Sequence, residues 1–141
     1  MKISTRTRYG MRAMLDIATH GDNGLVLLKD IAERQGISKG YLEHMMTQLR
    51  TQGLVVSERG ANGGYRLARD PSDIGLDEVF EALEGHIDPV DCVTDSTVCR
   101  LADECITREV WCEVSEAIRS VLAKKTLADL KLRWTGTQVI T

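Results

Sequence analysis

The sequence predicts a mostly α-helical chain with one small β-hairpin. Two short amphipathic helices flank a turn around Gly36, two strand-like stretches flank a glycine-rich run at 60–64, and a long apolar stripe at helical spacing begins near residue 105. This order is that of a winged helix-turn-helix, whose wing is the hairpin, followed by a long helix. The 141 residues suit one small domain with an appendage.

The first part of the chain contains three predicted helices, a short strand and the hairpin. Apolar residues at helical spacing define the helices, and glycines end them. The expected bounds are 4–20, 29–35 and 39–52 for the helices, 25–28 for the strand, and 54–59 and 65–69 for the hairpin. Ser38 suits the N-cap of the third helix, because its hydroxyl can accept from a free backbone N–H of the first turn.

The second part has three further predicted helices and a segment without periodicity. Helices are expected over 76–84, from about 105 to 125 and over 126–134, and the last seven residues are expected to be loose. The stripe of the long helix consists of Val110, Trp111, Val114, Ala117, Ile118, Val121 and Leu122. We therefore divide the chain into 1–85, a cysteine-bearing loop at 86–104, and a long helix with a tail at 105–141.

Charge is distributed unevenly along the chain. Residues 1–69 carry 11 Lys and Arg against 6 Asp and Glu, residues 70–141 carry 7 against 15, and the formal net charge is −3. A basic half joined to an acidic half favours a polyanionic partner for the first half only. On charge alone, chance variation over a protein surface explains the difference equally well.

The helix after the glycine turn has the position of a DNA-reading helix. The major groove of DNA admits an α-helix and displays a distinct donor and acceptor pattern for each base pair. The residues expected to reach base edges are Ser38, Lys39, Gly40, Tyr41, Glu43 and His44. Lys39 and Arg50 suit phosphates, and Arg59 and Arg66 lie on the hairpin, which can follow a minor groove. An ordinary helical hairpin with a surface β-hairpin remains the alternative.

Composition argues against several other classes of protein. No apolar run approaches the roughly 20 residues that span a bilayer, and the basic N-terminus lacks the apolar stretch of a signal peptide, so we expect no membrane association and a cytoplasmic location. The histidines at 20, 44 and 86 lie in unrelated settings. Because no nucleophile–base pair, phosphate loop or carboxylate pair is visible, we expect no enzyme.

A set of short motifs gives a more specific indication. They are KISTRTRYG at 2–10, AMLD at 13–16, IAERQGIS at 31–38, YLE at 41–43, LR at 49–50, GLV at 53–55 and RGANGGY at 59–65. In these motifs, and to about residue 134, the sequence resembles the IscR/NsrR/CymR superfamily of bacterial winged-helix transcription regulators. The resemblance implies a homodimer, DNA binding through the second helix and the wing, and in many members an iron–sulfur cluster. Tyr41, Glu43 and Arg59 match positions that contact the operator in the IscR type.

Four cysteines, at 92, 99, 105 and 112, lie in the second half of the chain. No C-x-x-C pair occurs, which argues against a ribbon-type zinc site. Spacing alone leaves a cluster, zinc and free thiols open. The resemblance implies that Cys92, Cys99 and Cys105 form the three-cysteine motif of an iron–sulfur cluster, either [2Fe–2S] or [4Fe–4S].

The fourth cluster ligand is where this sequence departs from the superfamily. The IscR type has a histidine three residues after the third cysteine, where this chain has Arg108, and the NsrR type uses an acid of the partner's first helix, where this chain has Arg8. Cys112 is the nearest substitute, but two helical turns, about 10.5 Å, separate it from Cys105 unless that residue precedes the helix. The alternatives are a spare thiol at 112, with water or an acid completing the site: Asp91, Asp95, Asp103 or Glu104.

The long helix needs a partner for its apolar stripe. It could pack on its own DNA-binding domain, whereas the resemblance implies antiparallel pairing with a second copy as a dimerisation helix. A two-fold dimer would present two reading helices to double-stranded DNA with a pseudo-palindromic operator. The sequence therefore predicts a transcription regulator controlled by a cluster, and its alternative is a cluster-free winged-helix regulator controlled by thiol oxidation or a partner protein.

Overall fold

The computed structural model describes residues 2–61 and 63–134. Its helices and strands are α1 (Thr5–His20), α2 (Leu28–Gln35), α3 (Lys39–Thr51), β1 (Val55–Glu58), β2 (Gly64–Leu67), α4 (Leu76–Glu84), α5 (Asp91–Thr94), α6 (Ile106–Ala123) and α7 (Leu127–Arg133). Short 3₁₀ turns lie between several of them. The order confirms the predicted winged helix-turn-helix followed by a long helix, and most bounds agree within two residues.

Helix α1 begins at a capped end and lies against α4. The Ser4 hydroxyl accepts from the backbone N–H of Thr7 at 3.2 Å, which satisfies one free donor of the first turn. Gly10 faces Leu83 of α4 so closely that an added Cβ would collide with the leucine methyl. Any larger residue at this point would therefore force the Leu83 side chain to move.

The turn of the helix-turn-helix depends on one left-handed residue. Gly36 ends α2 with φ 64° and ψ 35°, a conformation that glycine adopts without steric cost. The chain then reverses through Ile37, whose N–H donates to the carbonyl of Ala32 at 3.0 Å. Ser38 starts α3, and its hydroxyl accepts from the N–H of Tyr41 at 3.3 Å.

The wing is a two-stranded antiparallel hairpin that pairs Val55 with Leu67 at its base. The predicted strand over 25–28 is wrong, because α2 already begins at Leu28 and only Val26 forms a bridge, to Tyr65. Two 2.8 Å backbone hydrogen bonds join these two residues. A short apolar run by itself does not distinguish a strand from the start of a helix. Here Val26 pairs with the wing, and the helix begins two residues later, at Leu28.

The core of the first unit also takes in the end of the described chain. Leu127 of α7 is fully buried among residues of α1 to α4 and the wing. Backbone bonds hold it there: the N–H of Leu76 donates to Lys125 at 2.9 Å, and that of Leu127 donates to Ile74 at 3.0 Å. Helix α7 thus packs on the N-terminal unit, and α6 runs between this attachment and the cysteine-bearing loop.

Helix α6 is largely exposed to solvent. Ser115 is its only buried residue, and Ile106 and Val121 are 77% and 55% exposed. Val110 and Trp111 are exposed as well. The predicted loose end at 135–141 lies outside the described residues. Within 2–61 and 63–134, no helix combines the length and the apolar character needed to cross a membrane.

Candidate nucleic-acid interface and cysteine segment

Helix α3 divides its residues sharply between core and solvent. Its apolar residues Leu42, Met45, Met46 and Leu49 have no solvent exposure. The predicted DNA contacts are all exposed, namely Ser38, Lys39, Gly40, Tyr41, Glu43, His44 and Arg50. The buried stripe fixes the rotation of the helix about its own axis. The opposite face is therefore held outward on a rigid element, as a reading helix requires.

The wing lies beside this outward face and forms a groove with it. The guanidinium of Arg50 donates from Nη1 to the Ser57 hydroxyl of β1 at 3.2 Å, which links helix and wing. The groove has a volume of about 540 Å³ and is lined by residues of α3 and the wing that include Lys39, Glu43 and Arg59. Arg59 is exposed at the end of β1. The basic side chains in this lining, four in number with Lys29 and Arg50, outnumber its two acids, Glu43 and Glu58, in a cleft open to a polyanion.

The cysteine segment, defined here as residues 88–105, is a series of short turns on the surface. Cys92 lies in α5, Cys99 follows a 3₁₀ turn at Ser96–Val98, and Cys105 is the N-cap of α6. Every residue from 94 to 101 is exposed. All four cysteines are free thiols, and Cys99 is the most open of them.

One buried carboxylate attaches the start of this segment to α6. Asp88 accepts from Thr94 at 2.7 Å on one oxygen, and from Arg119 at 2.6 Å and the buried Ser115 on the other. Burial raises the pKa of Asp88, but the hydrogen bonds from Ser115 and Thr94 and the charge of Arg119 outweigh it and hold the pKa below its ordinary value. The Asp88 carboxylate therefore stays charged. It links Thr94, in the first part of the cysteine segment, to Ser115 and Arg119 of α6.

A thiolate is favoured at Cys105, the cysteine that starts α6. The hydroxyl of Thr107, 3.2 Å from Sγ, and the backbone N–H of Arg108 lower the pKa of the Cys105 thiol from its ordinary value. Thiolates are the ligands that iron–sulfur clusters use. In donor type, the free thiols at 92, 99 and 105 therefore fit such a group.

The cysteines are not gathered into one site. In the part of the chain that the structure describes, no three His, Cys, Asp or Glu side chains lie close enough together to hold a metal ion. Asp95, one of the alternative acids, already accepts from the backbone and the hydroxyl of Thr97. Because the part from 94 to 101 is exposed throughout, closing the segment around a group needs movement of these short turns and not of the core.

The position of Cys112 depends on where α6 begins. The helix starts at Ile106, so Cys105 precedes it with extended backbone angles, φ −87° and ψ 110°. Cys105 is thus the N-cap residue of α6, and Cys112 is the seventh residue of the helix. Cys112 itself is half-buried within α6.

Comparison with known proteins decides the class of this chain. Residues 3–132 match the family Rrf2, described as an iron-dependent transcriptional regulator. The chain is 46% identical over 130 residues to protein rrf2 of Nitratidesulfovibrio vulgaris, an alignment that covers 92% of this chain and 87% of that protein. The chain belongs to the Rrf2 family. It is a transcription regulator and not an enzyme, as the sequence predicted.

Two solved structures are similar to this Rrf2-family regulator in sequence and in fold. One is IscR of T. potens, at 41% identity and a TM-score of 0.77, with 100% of this chain and 94% of that chain covered. The other is CymR, the global cysteine regulator of B. subtilis, at 38% identity and a TM-score of 0.79, with 95% and 98% covered. The chain is thus similar both to a protein named IscR and to one named a global cysteine regulator.

Several side chains around these sites could not be singled out from the sequence. Asp88 was one acid among many, and its partners Ser115 and Arg119 lie about 30 positions away. Tyr9 of α1 touches Tyr41 of α3, although the two tyrosines lie 32 positions apart in the sequence. The periodic patterns used to find helices carry no information about which polar groups meet across elements.

Proposed function

We propose that this Rrf2-family regulator binds a pseudo-palindromic duplex operator as a homodimer in the cytoplasm, and that an iron–sulfur cluster held by its cysteines controls the binding. One observation carries the DNA-binding part. The predicted contacts on α3 and Arg59 of the wing are all exposed, and four of them line one groove with the wing: Lys39, Glu43, Arg50 and Arg59. The other face of α3 is fully buried.

In this proposal, α3 enters the major groove and the wing follows the adjacent backbone or minor groove. Ser38, Tyr41, Glu43 and the residues beside them, Lys39, Gly40 and His44, face the bases, and Arg50 and Arg59 carry charge toward the DNA. Binding should weaken steeply with salt, because each phosphate contact releases counterions and lowers log K by about 0.9 per unit of log salt. An affinity unchanged between low and high salt would contradict the proposal.

The uncovered face of α6 supports the homodimer. Ala117, Ile118 and Val121 of α6 line a largely apolar groove of about 570 Å³ together with residues near α1 and α4. A second copy of the chain is the occupant that fits, because it would bury the same apolar stripe on both helices. Val110→Asp should therefore yield monomers by sedimentation. Leu132→Asp on α7, where the leucine is 86% exposed, is the matched control that should remain dimeric.

For the cluster, Cys92, Cys99 and Cys105 are the proposed ligands, with Cys112 the candidate for the fourth. When bound, such a group supplies a centre sensitive to oxidants. The chain's own contribution is to hold the ends of the segment: Asp88 ties its beginning to α6, and Cys105 is already at the start of that helix. Since α6 leads directly into the backbone bonds that attach α7 to the DNA-binding unit, order in the segment can bias the placement of α3.

The likeness to CymR favours a second candidate, a cluster-free regulator controlled by thiol oxidation or by a partner protein. Its support here is that all four thiols are free and that the pKa of Cys105 is lowered, which increases the thiolate fraction that reacts with oxidants. In this case Cys99, the exposed thiol, and Cys105 would be the first to react.

Anaerobic purification separates the two candidates. The cluster proposal expects a coloured protein with visible absorption and matching iron and sulfide content, whose affinity for a selected duplex changes when the metal is removed by a chelator. A colourless protein without iron, whose DNA affinity responds to peroxide and is restored by a thiol reductant, supports the cluster-free candidate. No binding to any duplex selected from a randomised pool would overturn both.

A further inference from the structure

Tyr41, in the first turn of the reading helix α3, contacts an aromatic residue of α1. Its ring meets the ring of Tyr9 edge to face, with centroids 6.2 Å apart and planes at 87°. The guanidinium of Arg12 lies 5.0 Å from the Tyr9 ring centroid. Both geometries are those in which aromatic and cationic groups attract each other. The three side chains form a stack that ends at Tyr41, which is 38% exposed.

The far end of this stack is held by buried polar groups. Arg12 donates from Nε to the Gln35 side-chain oxygen at 3.2 Å, and from Nη2 to the Gln35 backbone carbonyl. Gln35, itself buried, donates from Nε2 to the fully buried Asp16 at 2.9 Å. Arg34 donates to the same carboxylate at 2.7 Å. A continuous series of contacts therefore runs from Asp16 in the core to Tyr41 on the surface.

We propose that Tyr9 and Arg12 are positioning residues for operator recognition, which set the orientation of the Tyr41 ring on the reading helix. This inference rests on the proposed function, since it assumes that Tyr41 faces DNA. The Tyr41 backbone N–H is already fixed by the Ser38 cap, so its ring orientation is what remains to be set. A ring held in one orientation before binding loses less side-chain entropy when DNA arrives.

Arg12 acts through Tyr9 and not by touching DNA. It is half-buried, and two of its N–H groups already bond to Gln35. Arg8, one turn earlier, is exposed and lies 6.0 Å from the same ring. Arg8 makes one bond within the protein, to the Thr5 hydroxyl, from an exposed side chain, whereas Arg12 makes two to Gln35.

The test is a double-mutant cycle on a duplex that the wild-type protein selects from a randomised pool. Tyr9→Leu and Arg12→Met should each weaken binding by about three- to tenfold, the range expected from losing an aromatic or cation–π contact. In the Tyr41→Ala background, the same changes should weaken binding by less than about twofold, because their target is gone. Tyr9→Phe, which keeps the ring, should restore wild-type affinity.

The salt dependence and the cycle decide the outcome. For Arg12→Met the slope of log Kd against log salt should equal that of the wild type, whereas loss of a direct phosphate contact would reduce it by about 0.9. Fully additive effects of Tyr9→Leu and Tyr41→Ala, in variants that melt cooperatively, would overturn the positioning role while leaving DNA binding intact. If the wild type selects no sequence at all, the proposed DNA-binding function itself is wrong. That outcome is distinct from the additive result, which contradicts only the positioning role.

Discussion

The guanidinium of Arg108 donates from Nε to the backbone carbonyl of Cys92 across 2.9 Å. This bond joins the first cysteine of the segment to the first turns of α6. Arg108 cannot itself be a ligand, because a guanidinium has no free electron pair to offer at pH 7. Arg108 therefore has a structural role, since its hydrogen bond holds the backbone at Cys92 close to the start of α6.

Arg108→Met should release Cys92. In metal-free protein we expect its thiol to react with a maleimide about three- to tenfold faster, as loss of one charge-assisted hydrogen bond would allow. Peptide mapping by mass spectrometry assigns the label to Cys92 among the four cysteines. Arg100→Met, at an exposed arginine in the same segment, is the control. Equal labelling rates in both variants would show that the bond does not restrain Cys92.

Cys112→Ala tests the fourth ligand. If Cys112 binds the cluster, the anaerobically purified variant should have a shifted visible spectrum, and its colour should fade much faster in air than that of the wild type. Cys92→Ala is the matched comparison, because loss of one of the three motif cysteines should abolish stable cluster binding altogether. Iron content and oxygen stability equal to the wild type would remove Cys112 from the site and point to an acid or water.

Glu43→Ala should relax base preference more than it lowers total affinity. A carboxylate near DNA is repelled by phosphates but can accept from the amino group of cytosine, so its value lies in discrimination. Sequencing of duplexes selected by wild type and variant from one randomised pool measures this directly. Glu33→Ala removes an exposed acid of α2 and serves as the control. An identical consensus from wild type and Glu43→Ala would refute the role.

Asp88 should make the attachment of the cysteine segment sensitive to acid. Because the folded-state pKa of Asp88 lies below its ordinary value, its stabilisation is fully present above about pH 4 and is lost as the pH falls through the lower folded-state pKa. Asp88→Asn should therefore lower the free energy of unfolding by about 1 to 2 kcal/mol at pH 7. The difference from wild type should shrink toward pH 3, measured by urea denaturation of metal-free protein.

The control for this experiment is Asp95→Asn. Asp95 also accepts from a neighbouring threonine, but it is exposed and caps only a local turn. Its replacement should change the free energy of unfolding much less at either pH. A pH-independent difference between Asp88→Asn and wild type would mean that the ion pair with Arg119 contributes little.

Arg34→Met should destabilise the protein more than Arg69→Met. Arg34 donates from two nitrogens to the fully buried Asp16, which is left with fewer partners when the arginine is removed, and we expect a cost of about 1 to 3 kcal/mol. Arg69 pairs with Glu78 at the surface, where both side chains are more than 40% exposed, so about 0 to 1 kcal/mol is expected. Thermal and chemical denaturation compare the two, and equal losses would contradict the argument.

Local patterns in the sequence determined the architecture of the DNA-binding unit. The apolar stripe of α3, the glycine at 36 and the serine at 38 each constrain backbone or burial within a few residues. They are sufficient to predict which face of α3 is exposed, and hence which of its residues are available to DNA. The exposed positions of Tyr41, Glu43 and Arg50 follow from the same stripe.

Only the tertiary structure decided what depends on contacts between distant residues. Val26 joins the wing and not a strand of its own because Tyr65, 39 positions later, offers it a partner. Asp88 holds Ser115 and Arg119, and Arg12 reaches Tyr41 through Tyr9, because helix packing brings those side chains together. Hydrophobic periodicity records which face of an element is buried. It does not record which polar groups meet when two such faces pack together, and contacts of that kind, such as the bond from Arg108 to Cys92, anchor the cysteine segment.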